Sequence, residues 1–201
     1  MGAALMRYAV LMALLTLAGC GPLVQVGGNA PPPTALLLLP ANVEAPAPAR
    51  LAGAGTMAVA LPQVPATLQT LRLAVRVDAT QVQYLPRASW AEQPNRLFRR
   101  LLADHIAAAG QPVLPAGSTV VPGRVLAGTL RDFGLDVRGA SQVVVRFDAE
   151  LTDPLGKGQV ALKSFTASEP VSSQTPEAVA AALAKAANRL GAELAGWVKG
   201  Q

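Results

Sequence analysis

The chain has little chemistry at its disposal. Its 201 residues include one cysteine, Cys20, and one histidine, His105. A lone thiol closes no disulfide within the chain, and a lone imidazole beside it makes no zinc cluster. Aromatic residues are 4% and charged residues 14%, with a net charge of +5. There is no run of Lys and Arg, and the aromatics are few and scattered, so nothing points to nucleic-acid binding. Ser89 has no glycine elbow around it, and no glycine-rich segment leads into Lys-Ser/Thr. Those two absences argue against an elbow-type hydrolase and a phosphate-loop ATPase. A non-catalytic protein is expected, without cofactor or metal.

What the chain does have begins at its N-terminus. Arg7 is the only charge before a nearly unbroken apolar run from Tyr8 to Ala18, which ends in Leu17-Ala18-Gly19-Cys20. A basic start, an apolar stretch and small residues at a cut site make a bacterial secretory signal. The run is shorter than the ~20 apolar residues a membrane span needs. Its end resembles the lipobox of bacterial lipoproteins. That resemblance implies a diacylglycerol on the Cys20 thiol, cleavage before Cys20 and acylation of the new amino group by a fatty acid such as palmitate. Each buried methylene adds about 0.8 kcal/mol of membrane affinity, and more than one chain gives a stable anchor. The alternative is a free cysteine behind an ordinary signal, or a small buried hydrophobe. Gly21, rather than Asp, follows the cysteine. The resemblance then favours the outer membrane, with the domain facing the periplasm.

The expected organisation is a signal peptide over 1–19, the lipidated Cys20 with a linker over 20–34, and one domain over 35–201. Gly27-Gly28-Asn29 and Pro31-Pro32-Pro33 rule out a helix or a central strand in the linker. Removing the signal removes Arg7 and no acid, so the mature charge is +4. A modest basic excess suits a protein that faces anionic headgroups.

Within the domain, Ala35 to Leu39 reads as a buried strand and Met57 to Leu61 as a second. Leu71, Leu73, Val75 and Val77 alternate with polar or small residues, the mark of a strand with one wet face. A short strand over Gln81 to Leu85 is expected to stop at Pro86. Ser89 and Glu92 have capping-box spacing, but Pro94 makes a better first helical residue. From Pro94, residues Leu97, Phe98, Leu101, Leu102 and Ile106 form an apolar stripe. Gly110 and Pro112 then end the helix. Arg124 to Arg138 is a strand whose apolar parity changes between Leu130 and Phe133, which predicts a β-bulge near Arg131-Asp132. Two more strands, over Val143 to Leu151 and Gln159 to Ser168, complete a meander. Thr175-Pro176-Glu177 starts a long C-terminal helix.

Together, the lipobox, the strand ending in Leu39-Pro40, Tyr84 followed by Trp90-Ala91-Glu92-Gln93-Pro94, the meander and the final helix resemble the ABC-type transport auxiliary lipoproteins, the group of paraquat-inducible protein C. The family usually has proline directly after the glutamate; here Gln93 intervenes. The resemblance implies an α+β fold, an antiparallel sheet with two main helices packed on one face. It also implies a non-catalytic role beside an ABC permease, its ATPase and a mammalian-cell-entry domain protein, in systems that move phospholipids or other hydrophobic compounds. Direct lipid binding in a groove between sheet and helices, and a structural envelope role, are the alternatives.

Candidate partner-binding residues are Tyr84, Trp90, Glu92, Arg96, Arg99 and Arg100. Each has a plainer reading. Trp90 packs in a core, or serves a partner surface where tryptophan is enriched. Glu92 caps a helix or binds. The three arginines are a solvated face, or contact lipid phosphates or an acidic partner. His105, beside the apolar stripe, reads as structural or solvated.

Overall fold

A computed structural model describes residues 35–44, 55–154 and 160–201. The signal peptide, Cys20 and the linker lie outside the described residues. Seven strands form one sheet: β1 (Ala35–Leu37), β2 (Met57–Val59), β3 (Arg72–Arg76), β4 (Val82–Trp90), β5 (Arg124–Asp136), β6 (Gln142–Thr152) and β7 (Ala161–Pro170). Helix α1 spans Pro94–Ala108 and helix α2 spans Pro176–Lys199. The strand order is β1-β4-β3-β5-β6-β7, with β2 also beside β5.

The sheet is mixed, which corrects the expected antiparallel one. The meander β5-β6-β7 and the β3–β4 pair are antiparallel, but β1 runs parallel to β4, and both β2 and β3 run parallel to β5. The physical reason is connectivity. Helix α1 and the chain around it carry the polypeptide from β4 back to the start of β5, so β5 can leave in the direction of β3.

The register of β5 on β6 shifts between Leu130 and Asp132, the bulge expected from parity. On one side of it Leu126 and Leu130 are buried, and on the other Phe133 and Leu135. One extra residue returns the apolar set to the helix-covered face. Gly128, four residues after Arg124, has φ +152°, and an added Cβ would sit 2.1 Å from the Asp148 carbonyl oxygen. Glycine is the residue that fits there.

Two other expectations change. Strand β4 does not stop at Pro86 but continues to Trp90. Its pairing with β3 jumps from Tyr84 opposite Ala74 to Ser89 opposite Arg72. The extra residues bulge out, Arg87 takes φ +56°, and Pro86 needs no ladder donor there. Ser89 is therefore a strand residue and not a helix cap; its hydroxyl donates to the Leu71 carbonyl oxygen at 3.3 Å. Strand β1 is an edge strand, with Leu37 and Leu39 buried but Leu36 and Leu38 more than 60% exposed.

Both helices cover one face of the sheet. The core joins Phe98 of α1 to Phe133 and Phe147 of the sheet, with ring centroids 6.3 and 5.3 Å apart. Helix α2 buries Val179, Leu183, Ala186, Leu190 and Leu194, and Trp197 meets Phe165 edge-on. The Thr175 hydroxyl accepts from the Ala178 amide, and Pro176 is the first helical residue. Where the helices cross, Gly191 has no room for a side chain: a Cβ would lie 2.7 Å from the His105 ring and 2.9 Å from Leu101.

Candidate functional site

Helix α1 begins at Pro94 behind Gln93, directly after β4 delivers Trp90 into the core. Its apolar stripe faces the sheet, which turns Arg96 and Arg100 outward and leaves Arg99 half-buried. Glu92, in the short link before the helix, accepts from Arg100 at 2.5 Å. Both side chains are about half exposed, so the pair is worth no more than about 1 kcal/mol. The charged side chains of Arg96 and Arg99 have no ion-pair partner among the described residues. Asp104, one turn beyond Arg100, has its carboxyl pushed above the usual range by burial, against the pull of Arg100 and His105. No acid stands in the first turn of α1, so the positive end of the helix dipole adds to the three guanidiniums. The result is an outward positive face, only partly offset by Glu92 and Asp104.

The sequence candidates do not form one site. Glu92, Arg96, Arg99 and Arg100 share the flank of α1. Trp90 does not join them: it is 1% exposed and its ring lies 5.3 Å from that of Phe133. Of its two readings the core one fits this burial, because β4 points it beneath the helices. Its indole N–H has no hydrogen-bond partner among the described residues, nor does the buried amide oxygen of Asn95. Tyr84 belongs to the opposite face of the sheet. Its hydroxyl donates to the Thr67 carbonyl oxygen at 3.3 Å, and the Arg72 guanidinium lies 4.3 Å from its ring centroid.

His105 is structural. It is 4% exposed, and its Nε2 lies 2.9 Å from Asn188 Oδ1. The Asn188 amide nitrogen donates to the carbonyl oxygens of Pro40 and Ala184, at 2.9 and 2.8 Å. That orientation leaves Oδ1 to accept from the Asn42 amide at 2.7 Å and from His105, so Nε2 carries the imidazole proton. Asn188 thus ties both helices to the segment after β1. Sequence reasoning passed over it. The available signal was a polar residue between Ala187 and Leu190 on an otherwise apolar helix face. No cluster of metal ligands occurs among the described residues. Nor is any described helix long and apolar enough to cross a membrane.

The profile of the ABC-type transport auxiliary lipoprotein component family matches residues 37–195. A crystal structure of a Xanthomonas campestris protein superposes with a TM-score of 0.63 at 24% identity, over 71% of this chain and 82% of that one. A second, uncharacterised protein of known structure superposes with a TM-score of 0.63 at 18% identity, over 80% of this chain and 95% of that one. At these identities the two structures show a shared fold. No functionally curated protein matches the chain.

Proposed function

The chain belongs to the ABC-type transport auxiliary lipoprotein family, and from that premise we propose that it is a non-catalytic adaptor, anchored by lipid at Cys20 and docked on a mammalian-cell-entry domain protein. The family description places it with an ABC transport system in the cell envelope. The finer reading has the domain facing the periplasm from the outer membrane, with residues 20–34 as its tether. Its task is to help a permease and ATPase move lipid or another hydrophobic compound.

The observation that carries this reading is the family match from Leu37 to Ala195, which spans the fold from the end of β1 into the last turns of α2. The positive flank of α1 supports it as the docking surface, since unpaired arginines favour an acidic partner and steer its approach. An acyl-chain groove between sheet and helices has less support. Phe98, Phe133, Phe147 and Leu101 fill that interface and are 0–2% exposed.

The test is crosslinking in native membranes followed by capture of the full-length protein. Recovery of a mammalian-cell-entry domain protein and its permease is expected. Repeated recovery of neither, from cells that produce both, rejects the adaptor role.

A further inference from the structure

The sheet face away from the helices holds a polar concavity of about 230 Å³. Arg76, Arg131, Arg138 and Arg146 line it, against only two carboxylates, Asp132 and Asp136. The β5 bulge creates this grouping. It sends two successive residues, Arg131 and Asp132, to the same open face, where strict alternation would separate them.

The pairing of these charges is unequal. Arg138 is closed on Asp136 through both Nε and Nη2. Arg131 turns to the rim and donates to Asp148 at 2.7 Å. That leaves Asp132 between two guanidiniums. It accepts from Arg76 at 2.5 Å, while Arg146 Nε stands 3.6 Å away, beyond hydrogen-bond reach. Asp132 is only 14% exposed, whereas Arg146 is 51% exposed. One carboxylate therefore serves two cations, and Arg146 keeps its donor fork open to solvent. Thr166 sits opposite Arg146 on β7, and Ser168 follows on the same face. Neither hydroxyl bonds another described residue.

We propose that this concavity binds a phosphate-class oxyanion, with the Arg146 fork as its main anchor and Arg76 and the Thr166 hydroxyl beside it. A phosphate group offers only acceptors, and a planar guanidinium meets two of its oxygens at once. Asp132 limits the affinity by competing for the same donors. The site stands apart from the α1 docking surface, on the other face of the sheet, and does not depend on the adaptor role.

The experiment uses the full-length protein in neutral detergent, labelled with ¹⁵N-arginine, and follows the Nε–Hε signals. Inorganic phosphate and glycerol 3-phosphate are titrated against chloride at equal ionic strength. A saturable shift at Arg146 and Arg76 with phosphate but not chloride is expected. R146Q should weaken binding at least about tenfold, the value of one charge-assisted hydrogen bond. D132N should tighten it several-fold. K163Q removes the same charge from the helix side of β7 and should leave affinity unchanged. A preference for glycerol 3-phosphate assigns the site to an esterified headgroup, and a preference for the inorganic ion assigns it to free phosphate; either supports the proposal. Equal shifts with chloride, or undiminished affinity in R146Q, overturn it. R146Q alters an exposed side chain, so its reading does not rest on a fragile fold.

Discussion

Asn188 Oδ1 and His105 Nε2 lie 2.9 Å apart beneath the surface, joining the C-terminal helix to the first one. The same amide holds the Pro40 carbonyl and the Asn42 N–H. This is the point at which the chain just after β1 is fixed to the domain.

Asn188→Leu should therefore loosen a specific segment as well as lower global stability. It leaves the His105 N–H, the Asn42 N–H and the Pro40 carbonyl without their partner, at a cost of roughly 2–4 kcal/mol. Urea unfolding measures the loss. Hydrogen exchange should show the Asn42 amide opening more than amides in β6. An unchanged Asn42 amide would show that other contacts hold this segment.

Acid sensitivity should centre on Glu169. Its side chain is 7% exposed, and the carboxylate faces Lys185 at 2.8 Å and Arg189. The Lys185 hydrogen bond and the two cations hold it below its ordinary value of 4.5. A depressed folded-state value means that its stabilisation is complete above the unfolded value and is lost as pH falls through the folded one. Asp136 and Asp148 are depressed too, by Arg138 and by Ser164 with Arg131, and add to the same slope. Glu169→Gln should lower stability at pH 7 and flatten its decline below about pH 4.5. Equal slopes for the two proteins in urea midpoints between pH 7 and pH 3 would contradict this assignment.

Several features could be read from local pattern. The parity change from Leu130 to Phe133 located the bulge, because a strand keeps period two unless a residue is inserted. Thr175-Pro176-Glu177 marked the start of α2, because its cap and proline act within one turn. What escaped reading depends on distant partners. Three residues of β1 cannot announce a parallel pairing with Ala88 to Trp90. Pro86 suggested a strand end, and only the β3 register shows that it sits in a bulge. Trp90 and Glu92 are two residues apart in sequence, yet one is core and the other surface. The Asp132 cluster draws Arg76 and Arg146 from two other strands, so no local pattern brings the three together.

The arginine flank of α1 makes a separable prediction. Arg96→Glu combined with Arg99→Glu should sharply reduce capture of the partner while moving stability by no more than about 1 kcal/mol, since neither side chain has an ion-pair partner to lose. Crosslinked yield and thermal unfolding are read on the same preparations. Full capture by the stably folded double variant would move the docking surface elsewhere.

The proposed adaptor is held to the envelope through its single thiol, Cys20. The most direct measurement is metabolic labelling of the producing bacterium with radioactive palmitate, followed by isolation of the wild-type protein and of C20S. Label is expected in the wild-type protein and none in the variant, with the variant released from the membrane fraction. Unlabelled wild-type protein, with C20S sedimenting unchanged in the membrane fraction, would contradict it.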